Sequence, residues 1–137
     1  MQNQLSKVEK FHNVFKQEMS NKPITYPSGG YDIRFNLMRE ENEEYLEACK
    51  NNSLVEIADA LGDQLYILCG TILKHGMQDV IQDVFDEIHR SNMSKLGPDG
   101  KPILREDGKI LKGDGYFKPN LHQYVNESNT KWKGHLR

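Results

Sequence analysis

The chain is organised around residues 36–70, which read NLMREENEEYLEACKNNSLVEIADALGDQLYILCG. Helix-forming residues on either side of a short polar break predict two consecutive helices. The first helix carries Glu41 and Glu44, and the second carries Glu56 and Asp59, each pair three residues apart. Residues three or four apart lie on one face of a helix, so each helix can direct two carboxylates at one point. Facing carboxylates of this kind form a site for a hard cation such as Mg²⁺.

Helical phase separates the acids of the first of these two helices into two groups. When each residue is rotated by about 100° from the last, Glu41 falls in the middle of the apolar arc and Glu44 at its edge. Glu40 lies just beyond Glu44, whereas Glu43 and Glu47 point the opposite way and are predicted to be solvated. A carboxylate at a core position must be paired or metal-bound, because burying it bare costs several kcal/mol or neutralises it.

The second helix is apolar on most sides and is predicted to be the central helix of the fold. Glu56, Asp59 and Asp63 form a narrow acidic stripe opposite its apolar stripe. The metal site is therefore expected between this helix and its predecessor, with Asp63 either a further ligand or a partner of a ligand. Ser53 is a plausible N-cap, which gives Glu56 a structural alternative in a capping box. The apolar stripe, predicted to face the core, comprises Leu54, Ile57, Leu61, Leu65, Leu68 and Ile72.

The remaining segments complete an all-α prediction, a four-helix bundle-like domain with a small Gly/Lys-rich β-hairpin flap near the C-terminus. The first helix is predicted within 5–20 and the fourth from Gln78 to Lys95. The flap spans 97–119, and a short helix follows at 121–126. Residues 127–137 form a polar tail, whose Trp132 could dock on another part of the protein. One domain, 1–137, accounts for the whole length. The predicted inner face of the fourth helix consists of Val80, Ile81, Val84, Phe85 and Ile88.

Composition excludes several classes of protein. A net charge of −2 gives no broad basic field, so no nucleic-acid partner is expected. No apolar run is long enough for a bilayer, and the polar start MQNQLSKVEK does not resemble a secretion signal, so a cytoplasmic protein without a membrane partner is expected. Cys49 and Cys69 lack metal-site spacing and are interpreted as reduced core thiols.

The acid-bearing helices resemble the all-α NTP pyrophosphohydrolase superfamily, the MazG-like and phosphoribosyl-ATP pyrophosphohydrolase-like group. Its pattern, ExxE on one helix and ExxD on the next, is matched by Glu41-x-x-Glu44 and Glu56-x-x-Asp59. The runs DALGDQLYILCGT, HRSNMSK and GKILKGDGYFKPNL extend the resemblance over about residues 8 to 121. The spacing between the two pairs, residues 45–55, is at the short end for the family. A pairing through Glu40 and Glu43 would lengthen it, but helical phase disfavours that choice.

The resemblance implies hydrolysis of nucleoside triphosphates between the α and β phosphates, which yields a monophosphate and pyrophosphate. The chain shows no triad, P-loop or nucleophilic cysteine motif, and metal activation of water needs no protein nucleophile. Mg²⁺ is the expected cofactor, with Mn²⁺ a possible substitute. Glu40 and Glu41 are the candidate catalytic residues, with Glu40 orienting or deprotonating the water. The expected metal ligands are Glu41, Glu44, Glu56 and Asp59.

Candidate substrate contacts lie downstream of the acids. Asn92 and Lys95 continue the predicted inner face of the fourth helix, and Lys109 and Lys112 belong to the basic flap. A lysine that complements the helix dipole and ordinary solvated lysines are the alternatives. Arg34 and Arg39 could serve phosphate or a subunit interface. The resemblance implies a homodimer or homotetramer, and a central helix this apolar favours burial against another subunit.

Three other functions fit parts of the sequence. The same fold could hydrolyse phosphoribosyl-ATP. A ferritin-like di-iron bundle would need Glu-x-x-His on two helices, and only Asp86-x-x-His89 comes close. In a non-catalytic helical interaction module, the acids would be ordinary surface residues.

Overall fold

The computed structural model describes residues 1–125 of the 137-residue chain, so the predictions for the tail at 127–137, including Trp132, lie outside the described residues. The predicted all-α class with one small β-hairpin is confirmed. Two units are distinguished by their internal contacts, residues 1–79 and residues 80–126. The elements are α1 (Gln2–Val14), α2 (Asp32–Lys50), α3 (Leu54–Lys74), α4 (Ile81–Met93), β1 (Ile103–Leu104) and β2 (Ile110–Leu111).

α3 begins directly after Ser53, the predicted N-cap, whereas α1 and α4 differ by several residues from their predicted bounds of 5–20 and 78–95. α1 ends at Val14 because Lys16 adopts a left-handed φ of 55°, which turns the chain out of the helix. α4 begins at Ile81, and the residues before it, 78–80, form a turn. Gly76, with a φ of 65°, follows the last turn of α3 in the left-handed conformation typical of a helix C-terminus.

α3 packs most extensively against α2 and next against α1. Small residues let α2 and α3 approach each other. Ala48 of α2 and Ala60 of α3 are each only 3% exposed, so both are buried in this contact. Near the other end of the pair, the guanidinium of Arg34 on α2 bonds to α3, donating from Nη2 to the carbonyl of Ile67 at 2.9 Å. A Cβ built at Gly70 would lie 2.6 Å from Arg34 Nη2, so only glycine leaves room for this contact.

The predicted core face of α3 is wrong. Leu54 is 84% exposed and Leu61 51% exposed, and of the six predicted positions only Ile72 is buried, at 8%. α1 and α2 pack instead against the side that carries the smaller residues, because Ala60 and Gly70 allow closer approach than a row of leucines. The buried residues of α3 are Ala60, Cys69, Gly70, Ile72, Leu73 and Lys74.

Two expectations from composition concern the thiols and the membrane. Cys49 and Cys69 are both free thiols, Cys69 buried and Cys49 half-buried, and burial raises the pKa of the Cys69 thiol. Among residues 1–125, no helix has the length and apolarity needed to cross a membrane.

The unit formed by residues 80–126 contains α4 and the predicted hairpin, whose strands pair Ile103 with Leu111. The predicted inner face of α4 (Val80, Ile81, Val84, Phe85, Ile88) is wrong in part: Phe85 is 65% and Ile88 39% exposed, Val80, Ile81 and Val84 are half-buried, and the buried residues of α4 are Glu87 and Ser91. The segment after the hairpin explains the difference, since Ser91 Oγ donates to the carbonyl of Phe117 at 2.8 Å. The helix predicted at 121–126 is a turn at 122–124 within the described residues.

We expect Gly70→Ala to destabilise the protein by about 1–3 kcal/mol, because the new methyl group must displace the hydrogen-bonded Arg34 side chain. The measurement is the free energy of unfolding by urea denaturation. Gly62→Ala is the control on the same helix: a Cβ there meets nothing within 4 Å, and better helix propensity should add about 0.5–1 kcal/mol. Equal effects of the two substitutions would contradict the packing described here.

Candidate functional site

An acidic centre lies between α2 and α3. Glu41 and Glu44 from α2 and Asp63 from α3 each offer a carboxylate oxygen, and these oxygens all lie within 4.8 Å of one another. Of the residues that the structure describes, this is the one group of three or more acidic, histidine or cysteine side chains that could hold a metal ion. Glu41 is half-buried, and its buried Oε2 has no hydrogen-bond partner within residues 1–125. Oxygen ligands without competing donors suit a hard divalent cation.

Several carboxylates lie close together in this centre, and their negative charges affect the pKa of Glu41. Burial contributes most to a raised pKa of Glu41, and the charge of Glu44, a hydrogen bond with Glu44 and the charges of Asp63 and Asp59 add to it, so that together they raise this pKa to about 7. Near neutral pH the protonated form of Glu41 is therefore populated when no cation is present. A divalent cation can replace that proton, because metal binding and carboxylate deprotonation are linked.

A groove of about 460 Å³ runs along the same helix pair. Ala48 and Ala60, each buried, form its floor, and Asn51 also lines it. Glu44 belongs both to the groove and to the acidic centre. The groove is lined by six carboxylates, those of Glu40, Glu43, Glu44, Glu47, Glu56 and Asp59.

The second predicted carboxylate pair lies in the groove and not in the closest cluster. Ser53 is the N-cap of α3, and its Oγ accepts from the Glu56 backbone N–H at 3.2 Å. The reciprocal half of a capping box is not formed, since the Ser53 N–H donates to the carbonyl of Ala48. The Glu56 carboxylate instead accepts from Asn51 Nδ2 at 3.1 Å. Asp59 lines the groove, and its charge contributes to the raised pKa of Glu41.

Two glutamates that helical phase assigned to the surface also line the groove. Glu43 pairs with Arg39 at 3.9 Å and Glu47 with Lys50 at 3.7 Å, and both glutamates are mostly exposed, as predicted. Their position at the edge of the groove was not predicted. Their spacing of three or four residues from Glu40 and Glu44 is the signal that could have indicated it.

Asp63 is the residue whose position changes the predicted site most. Sequence analysis predicted either a further ligand or a partner of a ligand at Asp63, four residues after Asp59, and the structure brings its carboxylate to the two α2 glutamates. Ile67 follows Asp63 by four residues and therefore lies on the same face of α3. Arg34 of α2 donates a hydrogen bond to the Ile67 carbonyl, so this face is directed at α2.

The predicted substrate contacts lie in the unit formed by residues 80–126. Asn92, Lys109 and Lys112 are exposed, whereas Lys95 is half-buried. The Gly113 N–H donates to the Lys95 carbonyl at 2.9 Å, so the end of the hairpin is bonded to the end of α4. The structure therefore brings the hairpin lysines and the end of α4 into one unit, with Lys112 Nζ over the Tyr116 ring at 4.7 Å from its centre.

The fold and the acidic centre define an all-α protein in which α2 and α3 bring together carboxylates that could hold a metal ion. The family model of phosphoribosyl-ATP pyrophosphohydrolase matches residues 8–92, more than half of the chain, and the chain belongs to this family. The matched range includes α2 and α3 and therefore every residue of the acidic centre. The predicted superfamily is thus confirmed.

Other comparisons add little. No curated protein matches the sequence. Among solved structures, the chain is similar to a crystal structure described as a candidate NTP pyrophosphohydrolase from Exiguobacterium sp. 255-15, with 24% identity and a TM-score of 0.47. That match covers 85% of this chain and 89% of the other. At this TM-score, the likeness carries no weight for the fold or the site.

We expect Glu41→Gln to stabilise the metal-free protein at about pH 8 and to leave its stability unchanged at about pH 4. The Glu41 pKa is raised from 4.5 to about 7 on folding, so the native state holds more protons and wild-type stability falls as pH rises between these values. Glutamine mimics the protonated form, and with solvent screening the gain at high pH should be about 1 kcal/mol. Urea denaturation across the pH range, with chelator present, measures it.

Glu43→Gln is the matched control for this pH series, because Glu43 is the exposed partner of Arg39. No comparable gain at high pH is expected for it. A Glu41→Gln profile parallel to that of the wild type would contradict the proposed crowding of charge at Glu41.

Proposed function

We propose that this protein is a Mg²⁺-dependent nucleoside triphosphate pyrophosphohydrolase, which converts a nucleoside or deoxynucleoside triphosphate to the monophosphate and pyrophosphate. The observation that carries the proposal is the group of Glu41, Glu44 and Asp63, whose oxygens lie within 4.8 Å of one another. The unpartnered Glu41 Oε2 and the raised pKa of this carboxyl both fit a place for a cation. Membership of a pyrophosphohydrolase family supports the reaction class.

The residues that would hold Mg²⁺, or Mn²⁺ in its place, are Glu41, Glu44, Glu56 and Asp59, with Asp63 as an additional ligand. When bound, such an ion activates water and neutralises charge on the phosphates. Asn51 holds the Glu56 carboxylate at the end of the groove and so limits its freedom to turn away. The close helix contact at Ala48 and Ala60 keeps the two sets of carboxylates opposite each other.

Glu40 is the proposed base for the attacking water. It lies on the groove and is exposed, so its carboxylate can reach a water there. As the water oxygen bonds to the α-phosphorus, the bond from that phosphorus to the bridging oxygen breaks and pyrophosphate leaves. Glu40 accepts the proton that the water loses.

The basic end of the chain is the proposed source of phosphate contacts. Asn92, Lys95, Lys109 and Lys112 supply donors that complement a polyphosphate, whereas the acidic groove alone would repel it. The bond from Gly113 to the Lys95 carbonyl supports a shared role, because it joins the hairpin to α4.

Phosphoribosyl-ATP is a second candidate substrate, favoured by the family model that matches residues 8–92. Both candidates present a triphosphate-derived anhydride to the same carboxylates. A hydrolysis assay with phosphoribosyl-ATP beside canonical and modified nucleoside triphosphates separates the two.

We expect Mg²⁺-dependent release of pyrophosphate from at least one of these substrates, and a loss of about 100-fold or more in kcat/KM for Glu41→Gln. Asp59→Asn should also lower activity, because it removes a groove carboxylate near Glu41. Glu9→Gln is the control, since Glu9 is an exposed acid on α1. Pyrophosphate is measured by a coupled colorimetric assay. If no substrate releases it, the protein is a non-catalytic helical module.

A homodimer or homotetramer is proposed for the functional state. Phe35 and Met38 on α2 lie beside Leu68 on α3 along a largely apolar groove of about 490 Å³. Phe35 is 58% and Leu68 45% exposed, and Leu61 and Leu65 continue the same side of α3 at 51% and 40%. Exposed apolar surface of this continuity is typical of a subunit contact.

We expect Leu65→Glu to lower the mass of the assembly, measured by light scattering on a size-exclusion column at micromolar concentration. A charge on this face would have to be buried without a partner on association. Leu104→Glu is the control, because Leu104 is a leucine of the hairpin with 57% exposure. A wild-type chain that elutes as a monomer at all concentrations would contradict the proposed assembly.

A further inference from the structure

A second cavity, of about 270 Å³, lies beside the beginning of α2. Arg34 marks its position along the helix and precedes Glu41 by seven residues, which is about 10 Å of helix rise. Gly29 and Gly30 form one side, where no side chain blocks the backbone. Half of its polar lining residues are cationic and one is a carboxylate: Lys16, Arg34 and Lys74 beside His12, Gln17 and Glu18.

Two of these cations are buried without an ion pair. Arg34 is 7% exposed and Lys74 9% exposed. Arg34 donates to neutral acceptors only, to Thr71 Oγ1 at 3.2 Å and to the carbonyl of Ile67 at 2.9 Å. Within residues 1–125, neither cation lies within ion-pair distance of a carboxylate. Buried charges are normally paired, because desolvation of a single charge is costly.

The burial of these cations affects their ionisation. Desolvation lowers the pKa of Arg34, and it lowers the pKa of Lys74 more than the charge of Glu18 raises it. Lys74 Nζ also lies over the Tyr26 ring, 4.8 Å from its centre. One carboxylate in the lining does not balance three cationic side chains, so the cavity has an excess of positive charge.

His12 adds an unsatisfied polar atom to the same lining. It is 3% exposed, and among the described residues its buried Nδ1 has no hydrogen-bond partner, which is also true of Glu18 Oε1 in the same lining. Burial lowers its pKa, and the charge of Arg34 lowers it further, so the ring is neutral near pH 7 and carries one N–H. Gly70 makes room for this arrangement, since a Cβ there would lie 2.8 Å from His12 Nε2.

We propose that this cavity binds a small oxyanion of the phosphate type, separately from the acidic centre. A guanidinium and an ammonium are the usual protein donors to phosphate, and a neutral imidazole can add a third. The volume is slightly below the range of about 300–1,000 Å³ that is usual for drug-sized ligands. The occupant is therefore free phosphate or the phosphate group of a small monoester. This site does not depend on the proposed hydrolytic function.

The experiment titrates inorganic phosphate into the metal-free protein with chelator present, and follows backbone amide shifts of Gly29 and Gly30 by NMR. Sodium chloride at equal ionic strength corrects for screening. Ribose 5-phosphate and pyrophosphate in parallel titrations identify the source of the phosphate group. Tighter binding of the monoester indicates a sugar phosphate, and tighter binding of phosphate or pyrophosphate indicates a free ion.

Lys16→Asn tests the cavity without disturbing the fold, because Lys16 is exposed and asparagine tolerates its left-handed φ of 55°. We expect phosphate binding to weaken about threefold in Lys16→Asn, and about tenfold or more in Lys74→Met if that variant folds. Lys10→Gln on the outer side of α1 removes the same charge and should leave binding unchanged. Glu41→Gln should also leave it unchanged.

Two outcomes would overturn the proposal. One is the same amide shifts with chloride as with phosphate. The other is equal weakening by Lys10→Gln and Lys16→Asn, which would mean that phosphate responds only to total charge. In either case Arg34 and Lys74 would serve the fold alone, bonding to backbone and side chains near the end of α3.

Discussion

The close approach of α2 to α3 is the contact on which the rest of this structure depends. Ala48 and Ala60 allow it at one end of the pair, and Gly70 allows it at the other, where the Arg34 guanidinium takes the space that a side chain would fill. Once the helices are this close, the polar groups on their facing sides cannot all reach water. The chemistry of the protein follows from how each end of the pair accommodates them.

Two regions along this helix pair do so with opposite charge. Near the middle of the pair Glu41 and Asp63 crowd together with their neighbours, and the raised pKa of Glu41 expresses the cost of keeping them all ionised. At the Gly70 end Arg34 and Lys74 are buried with neutral partners. A bound cation would relieve the first imbalance and a bound anion the second, and each would then stabilise the protein. Their separation along the helices keeps these two preferences from cancelling.

The outward faces of the same helices are apolar for a different reason. α1 and α2 pack against the side of α3 that has the small residues, and Leu61 and Leu65 remain exposed. Burial of a leucine side chain stabilises a protein by about 1.5–3 kcal/mol. Burying several exposed leucines against another subunit would therefore favour association. The helices that form the acidic centre thus also carry the surface proposed for subunit contact.

The sequence by itself determined the helices, the hairpin and the face that carries the acids. Periodicity and the polar break at Ser53 predicted α2 and α3, and the Gly/Lys-rich segment 97–119 predicted the hairpin, because these signals are local in the chain. The same periodicity predicted that Glu41 lies on an inward face. Periodicity could not predict which side of α3 packs against α1 and α2, since the leucine stripe and the stripe of small residues are both apolar.

Only the tertiary structure decided that choice, and several features of the site follow from it. Asp63 joins Glu41 because the small-residue side of α3 faces α2, whereas Glu56 is directed along the groove by its bond to Asn51. The pairing of Arg34 with Gly70 likewise depends on helix separation, which no local pattern encodes. Sequence fixes which residues share a face of one helix, but the distance between two faces depends on side-chain volumes summed over the whole contact.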